Sequence, residues 1–167
     1  MTKQQQLEKL ECKVIEWADA RNMFDKDNGG TITTQLFKLV EEQGEAFSAK
    51  LKNKQDLLKD GTGDQKVCLI NMKKLFEEFG LGQVDRLELW EKLRLLQLAT
   101  IGKIAESILT DDNIGVSEGI NSLDDILKDL AEADGLDFLE CLGIAYDEIK
   151  NRKGKMVNRT FVKESDL

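Results

Sequence analysis

Two acidic stretches decide how this chain is interpreted: Lys38-Leu39-Val40-Glu41-Glu42-Gln43-Gly44-Glu45 and Asp60-Gly61-Thr62-Gly63-Asp64. Each lies in a segment that has the pattern of a helix, and carboxylates three or four positions apart project from one side of a helix. Two such helices packed together would direct several carboxylates at one point. Helical bundles hold divalent metal ions in this way, and hard cations such as Mg²⁺ prefer oxygen ligands.

The composition favours an all-α helical bundle. The 167 residues fit one domain, contain no proline and only 6% aromatic residues, and are 41% hydrophobic and 34% charged. Apolar periodicity predicts helices over about residues 4–23, 33–51, 63–79, 84–109, 117–132 and 136–150. The second helix begins at Thr33 or Thr34, because either residue is a good N-cap. Residues 83–133 carry no recognised motif, and residues 151–167 are predicted to be a basic tail.

The charge and the missing histidine narrow the range of functions. A net charge of −8 argues against a nucleic-acid-binding surface, which needs clustered lysine and arginine. Without histidine, catalysis would depend on carboxylates, lysine, cysteine or a metal ion. Cys12, Cys68 and Cys141 fit reduced core thiols rather than disulfides or a zinc site. No secretion signal or membrane-spanning run is present in the sequence, so we expect a cytoplasmic protein without a membrane partner.

The two acidic stretches differ in their helical surroundings. On the second helix the apolar stripe centres on Leu36, Val40 and Phe47, so the three glutamates and Lys38 are expected on the opposite side. A glutamate-rich face with a nearby lysine is, by itself, usually a solvated surface with weak ion pairs.

The third helix changes this assessment, because Asp64 falls within its apolar stripe. Asp60 and Asn71 point in nearly the same direction as Asp64. An unpaired buried carboxylate is costly, so a buried one is expected to be paired or bound to metal. The structural alternative is that Asp64 is the N-cap of a helix that begins after Gly63.

Residues 25–36 resemble an EF-hand calcium loop, with Asp25 and Asp27 at positions one and three and Gly30 at position six. The match fails at position five, which is Gly29, and at position twelve, where Leu36 replaces the bidentate glutamate. We therefore interpret the segment as a turn. The alternative function that it suggests is a non-enzymatic calcium-binding or helical interaction protein.

Two further groups have alternative interpretations. Lys150, Arg152, Lys153 and Lys155 either complement the dipole of a helix C-terminus or form a clamp for a polyanionic substrate. Trp17 and Arg21, four residues apart, have the spacing to stack on and hydrogen-bond a base, although core packing is the favoured role for Trp17.

The order of these motifs resembles the MazG-like all-α nucleoside triphosphate pyrophosphohydrolases. The resemblance rests on Trp17-x-x-x-Arg21, the Lys38–Glu45 stretch and the Asp60–Asp64 stretch, and covers about residues 14–75. The ending Ala145-Tyr146-Asp147-Glu148-Ile149-Lys150, continuing through the basic tail, is similar to the bacteriophage branch, in particular to phage dATP/dGTP diphosphohydrolases. It extends the likeness over about residues 135–167.

The resemblance implies a helical bundle of the all-α pyrophosphatase type with extra C-terminal helices. It implies hydrolysis of a nucleoside triphosphate such as dGTP or dATP to the monophosphate and pyrophosphate, with two or more Mg²⁺ ions or Mn²⁺ in their place. It also implies a homodimer or dimer of dimers in the host cytoplasm. The metal ligands would be Glu41, Glu42, Glu45, Asp60 and Asp64.

Within that set, Glu41 or Glu42 would orient the attacking water. Lys38 and the four cations of the tail would contact phosphates, and Asn71 would lie near the sugar. The family pattern ends in Glu-x-x-Asp, whereas here Gly61 precedes Asp64 by three residues, so Asp60 is the nearest substitute.

Overall fold

The computed structural model describes residues 1–25, 27, 29–81, 87–157 and 160–164, and the predicted all-α helical bundle is confirmed over them. The six helices in chain order are α1 (Lys3–Asp19), α2 (Ile32–Leu51), α3 (Gln55–Phe79), α4 (Leu89–Leu109), α5 (Asn113–Ala133) and α6 (Phe138–Ile149). None of the described helices is both long enough and apolar enough to cross a membrane.

Several helices begin where a side chain satisfies the first free backbone amides. Thr2 and Thr31 each form a capping box with the residue three positions later, at the starts of α1 and α2. Asp112 and Asp137 accept backbone amides at the starts of α5 and α6. The N-cap of α2 is therefore Thr31 rather than Thr33 or Thr34, because Thr34 completes the capping box. The predicted start of α4 near residue 84 lies outside the described residues.

The third helix begins eight residues earlier than predicted, at Gln55. The prediction began this helix at about Gly63, but Gly61, Thr62 and Gly63 are all helical. Packing explains the difference, because Gly61 is buried against α2. The alternative that Asp64 is an N-cap is therefore wrong.

The C-terminal segment is not a simple tail. Strands β1 (Gly154–Val157) and β2 (Thr160–Lys163) pair in a two-stranded sheet. The helical and basic patterns of the sequence did not predict this hairpin.

The chain divides into two compact units, one formed by Met1–Asp85 with Lys155–Leu167 and the other by Arg86–Gly154. In the first unit α2 and α3 form an antiparallel pair and α1 packs on α3. A small core joins α1, the following turn and α3 through Ala18, Phe24 and Leu75. In the second unit α4 packs on α5, and α5 contacts α6. The prediction of one domain over residues 1–167 stays a prediction.

Candidate functional site

The face of α2 that packs on α3 is formed by Gln35, Glu42, Ala46 and Ala49, all of which are buried. This differs from the helical-wheel prediction, which placed Glu42 on a solvated face opposite the apolar stripe. Phe47, at the centre of that stripe, is instead 61% exposed. Ala46 and Ala49 explain why this face of α2 packs on α3. Their small side chains let the two helices approach closely, with Glu42 in the interface.

Glycine on α3 completes this close approach. A Cβ atom at Gly61 would lie 3.3 Å from the Ala46 backbone nitrogen and 3.4 Å from the Glu42 carbonyl oxygen. These neighbours belong to a helix backbone and cannot rotate away. Position 61 therefore faces α2 at a point where a Cβ atom is already crowded, and the acid that the MazG-like pattern has at this position would push the two helices apart.

Lys38 pairs with two of the candidate acids of α2. Its Nζ lies 2.9 Å from Glu41 Oε2 and 2.8 Å from Glu42 Oε1. These hydrogen bonds, the one to Glu42 first, raise the pKa of Lys38. Glu41 lies on the exposed side of the pair, whereas the side chain of Glu42 is only 8% exposed. The ion pair therefore extends from solvent into the α2–α3 interface.

Asp64 lies in the middle of α3 and is exposed, so the prediction that it is buried is wrong. Its pKa is nevertheless raised, first by partial desolvation and then by the negative charges of Glu42 and Asp60, while Lys38 lowers it. The influence of Glu42 on Asp64 crosses the interface between α2 and α3. The charges of Glu42, Asp60 and Lys38 thus all act on Asp64, and the predicted set of ligands stays a prediction.

The predicted ligands differ in how far their side chains are exposed. Glu41, Glu45 and Asp60 are exposed. In the part of the chain that the structure describes, no three acidic or cysteine side chains are arranged to hold a metal ion. The predicted binding of Mg²⁺ therefore stays a prediction, and it requires that some of these side chains move.

Two amides continue the α2–α3 interface beyond the acidic residues. Asn71 is only 2% exposed, and its Nδ2 lies 3.5 Å from Oε1 of the buried Gln35. The Oδ1 atom of Asn71 has no hydrogen-bond partner among the described residues. Gln35 was missed by the sequence analysis, although its spacing of seven residues from Glu42 is a helical repeat that could have revealed it.

Cys68 is buried one turn after Asp64, and its pKa is raised by burial and then by the charge of Glu42. It is therefore a neutral thiol at ordinary pH and a poor nucleophile. All three cysteines are free, but Cys12 is exposed, so the prediction of a core thiol is wrong there. Ala18 is the one buried residue of α1.

Trp17 and Arg21 form a pair on the surface of α1. The Arg21 guanidinium carbon lies 4.5 Å from the centroid of the Trp17 ring, and its Nη1 donates to the Trp17 carbonyl at 2.9 Å. Trp17 is 46% exposed, so the favoured core role is wrong. The cation–π contact holds the ring at the surface without a core around it.

The predicted phosphate clamp is divided between the two units. Lys150 pairs with Asp147 at 2.7 Å and Arg152 pairs with Glu148, both at the end of α6. Lys153 follows in the same unit, whereas Lys155 belongs to β1 and the first unit. The pairs at Lys150 and Arg152 agree with the interpretation of these cations as a helix ending.

The EF-hand-like segment has the geometry of a turn. The Asp27 amide donates to Asp25 Oδ1 at 3.0 Å, and the Gly29 amide donates to the Asp25 carbonyl at 2.9 Å. Thr31 and Thr34 take part in the cap of α2. Positions two and four of the loop, Lys26 and Asn28, lie outside the described residues.

Comparison with known proteins places the chain beside a bacteriophage protein. It is 37% identical over 68 residues to an uncharacterized 18.2 kDa protein in the rep-hol intergenic region of Haemophilus phage HP1 (strain HP1c1). The match covers 41% of this chain and 40% of the relative, so the aligned part spans well under half the length of that protein. No family profile matches the chain. No solved structure matches it either.

Proposed function

We propose that the protein hydrolyses a nucleoside triphosphate, with dGTP and dATP as first candidates, to the monophosphate and pyrophosphate in a Mg²⁺-dependent reaction. The observation that carries this proposal is the shared face of α2 and α3, where the charge of Glu42 raises the pKa of Asp64 across the helix interface. Carboxylates held close enough to repel one another are stabilised by a cation between them.

The chemistry of the donor set fits a hard divalent cation, because all five candidate ligands offer carboxylate oxygens. Glu42 and Asp64 are the first candidates to hold it, with Glu41, Glu45 and Asp60 within one helical turn of them. A bound Mg²⁺ or Mn²⁺ would supply positive charge that neutralises the triphosphate and activates water. We propose two or more ions, as the resemblance implies.

The other residues have roles that follow from their positions. Glu41 is exposed beside Glu42 and would orient the attacking water. Lys38 is half exposed at the same edge and would contact a phosphate. The unpartnered Oδ1 of Asn71 would accept a hydrogen bond from a water or sugar hydroxyl that reaches the interface. The exposed pair of Trp17 and Arg21 is a candidate for the base.

The similarity to a phage protein supports the proposal that the enzyme acts in a phage-infected cell. An enzyme of this kind in an infected cell would lower one cellular deoxynucleotide pool, and it would work in the host cytoplasm. Lys155, the one of the four cations at residues 150–155 that belongs to the same unit as the acidic residues, would then add a phosphate contact. We further propose a homodimer or dimer of dimers, supported by the exposed side chain of Phe47 on the apolar stripe of α2.

The test is pyrophosphate release from a panel of dNTPs and NTPs with Mg²⁺ by the wild type, Asp64→Asn and Glu42→Gln. We expect release by the wild type with one preferred base and a loss of at least about 100-fold in both variants, in the range for removal of a group that stabilises transition-state charge. Asp56→Asn is the matched control, because Asp56 lies on α3 in an exposed pair with Lys59. Absence of release from every nucleotide would reject the enzyme proposal.

A further inference from the structure

Helix α6 leaves an apolar seam open to solvent. None of its twelve residues, all of them described, is buried, and only Phe138 and Cys141 are half-buried. The residues of the seam follow one another at intervals of three, four and three positions, the spacing of a helix that packs lengthwise on another helix. Each of them is more than half exposed: Leu139 77%, Leu142 61%, Tyr146 60% and Ile149 51%.

A helix as short as α6 depends on packing for its stability. An isolated helix of about this length is marginal in water, and most helices in proteins are stabilised by burial of an apolar face. Helix α6 contacts α5, but its seam stays exposed along its whole length. A second helix laid on the seam would supply the missing burial.

The charges around the seam are acidic. Residues 129–149 contain seven acidic residues and no basic one. Three of the seven pair with a cation of the same unit, whereas Glu132 and Glu140 have no ion pair in the part of the chain that the structure describes. This part of the second unit therefore has more carboxylates than cations to pair with them.

Glycine separates the seam from one of these unpaired carboxylates. By the helical period, Gly143 lies between the seam and Glu140 on the surface of α6. A Cβ atom at Gly143 would have nothing within 4 Å, so the surface there is open. A lysine side chain from a helix packed on the seam could cross Gly143 and reach the Glu140 carboxylate.

The charge of the second unit disfavours pairing of the seam with its own copy. The segment Arg86–Gly154 has fifteen acidic and eight basic residues, so this unit carries seven of the eight net negative charges of the chain. A second copy would bring the same excess of carboxylates to the seam, and like charges repel one another. The seam is therefore suited to a molecule of the opposite charge.

We propose that the seam of α6 docks a basic amphipathic helix of another protein. The apolar face of that helix packs on the seam, and the lysines or arginines beside this face pair with the carboxylates of residues 129–149. This binding role lies in the second unit and does not depend on the nucleotide chemistry proposed for the first.

Fluorescence anisotropy with a labelled designed peptide tests the docking. The probe has three heptads with leucine at the a and d positions and lysine at the flanking positions, and its matched control has glutamate in place of lysine. We expect the full chain to bind the lysine peptide at least about ten-fold more tightly at low salt. The difference should shrink in about 0.5 M NaCl, because salt screens exposed charges.

Substitutions on α6 locate the binding face. Leu142→Gln should raise the Kd of the lysine peptide about ten-fold, the size expected when a partly exposed leucine no longer becomes buried. Leu139→Gln should give a loss of the same kind, and Glu140→Gln a loss of about two- to five-fold. Ile144→Gln is the matched control, because Ile144 is 64% exposed on the side of α6 opposite the seam.

The outcomes separate this docking from other uses of the seam. Absence of binding, or equal binding of the lysine and glutamate peptides, would overturn the basic partner. An equal loss in Ile144→Gln and Leu142→Gln would overturn the seam as the docking face. A lower mass of Leu142→Gln in light scattering, with no peptide bound by the wild type, would assign the seam to a second copy instead.

Discussion

Single residues at the α2–α3 interface set the charge balance of the candidate site. Glu42 is held inside by the small residues around it, and Asp64 lies opposite on α3 with its carboxyl exposed. Lys38 links the two through its contacts with Glu42 and its field at Asp64. The carboxylates of Glu42 and Asp60 therefore repel that of Asp64, and substitutions can reduce or increase this repulsion.

Asp64→Asn should stabilise the metal-free protein at neutral pH. The pKa of Asp64 is raised above its ordinary value of 3.8, so the folded state holds the proton more tightly than the unfolded state does. Ionisation of Asp64 therefore lowers the free energy of unfolding as the pH rises from the ordinary pKa through the raised one. Because the group is exposed, we expect a gain of only about 0.5 kcal/mol, or roughly 1–2 °C in Tm.

Thermal melts in a chelator at pH 7 and below pH 3 would measure this effect. The gain should vanish at the acid pH, where Asp64 is protonated in both states. Asp56→Asn, whose side chain is almost fully exposed, should give no gain. A loss of stability in Asp64→Asn at pH 7 would contradict the prediction.

Asn71→Asp should be strongly destabilising. The substitution keeps the shape of a buried side chain whose Oδ1 has no partner in the described structure. It places a charge beside Gln35, whose Oε1 now accepts from Asn71 Nδ2. We expect a loss of about 3 kcal/mol, or roughly 10 °C in Tm, because a buried charge lacks compensation.

Denaturant unfolding at pH 7 and pH 4 would check this value, since protonation of the new carboxyl should restore part of the loss. Gln43→Glu makes the same amide-to-acid change at an exposed position of α2. It should change the free energy of unfolding by less than about 0.5 kcal/mol.

The contact of α2 with α3 depends on a glycine inside a helix. Glycine lowers helix stability relative to alanine by about 1 kcal/mol. Alanine at position 61 or 63 would therefore stabilise α3 if this helix were considered alone. The two positions differ in what faces them. A Cβ at Gly61 meets the α2 backbone, whereas a Cβ at Gly63 has nothing within 4 Å.

Gly63→Ala should therefore raise the free energy of unfolding by up to about 1 kcal/mol. Gly61→Ala should lower it by about 1–2 kcal/mol, because the helices must separate around the added methyl group. Denaturant unfolding of the two variants measures the difference directly. Equal stabilisation of both would show that α2 and α3 are not packed closely at Ala46.

For the molecule as a whole, one partly open surface of the first unit is the apolar stripe of α2, where Leu36 and Val40 are half-buried and Phe47 is exposed. Its residues Leu36, Val40 and Phe47 were expected to face the core, but the packed face is the one with Gln35 and Glu42. Because Phe47 is 61% exposed, a second copy of this chain could pack against the stripe. Contacts of this kind need about 800 Å² on each partner.

Light scattering after size exclusion should accordingly give a mass at least twice the 18.9 kDa of one chain. Phe47→Glu should shift the protein to the monomer, because a charge on the stripe cannot be buried without a partner. Ser48→Glu adds the same charge at an adjacent exposed position and should leave the mass unchanged. A monomeric wild type would reject the predicted homodimer.

The sequence predicted the helices better than it predicted their faces. Apolar periodicity located all six helices, with α3 begun too late at its glycines and α4 extending into residues outside the described part. It placed Glu42 and Phe47 on the wrong sides, because periodicity reports where apolar residues lie and not which side a neighbouring helix can approach most closely. The same limit applied to Trp17, whose apolar position on α1 is exposed.

By itself, the sequence determined the all-α class and which acidic residues lie on one side of α2 and on one side of α3, because spacings of three and four residues on a helix are local geometry. Only the tertiary structure decided that Gly61 contacts α2 from within α3, that Glu42 is buried while Asp64 is not, and that the C-terminal segment pairs as strands. Each of these depends on how closely two distant segments can approach. That distance is set by side-chain volumes on both partners, which no single stretch of sequence contains.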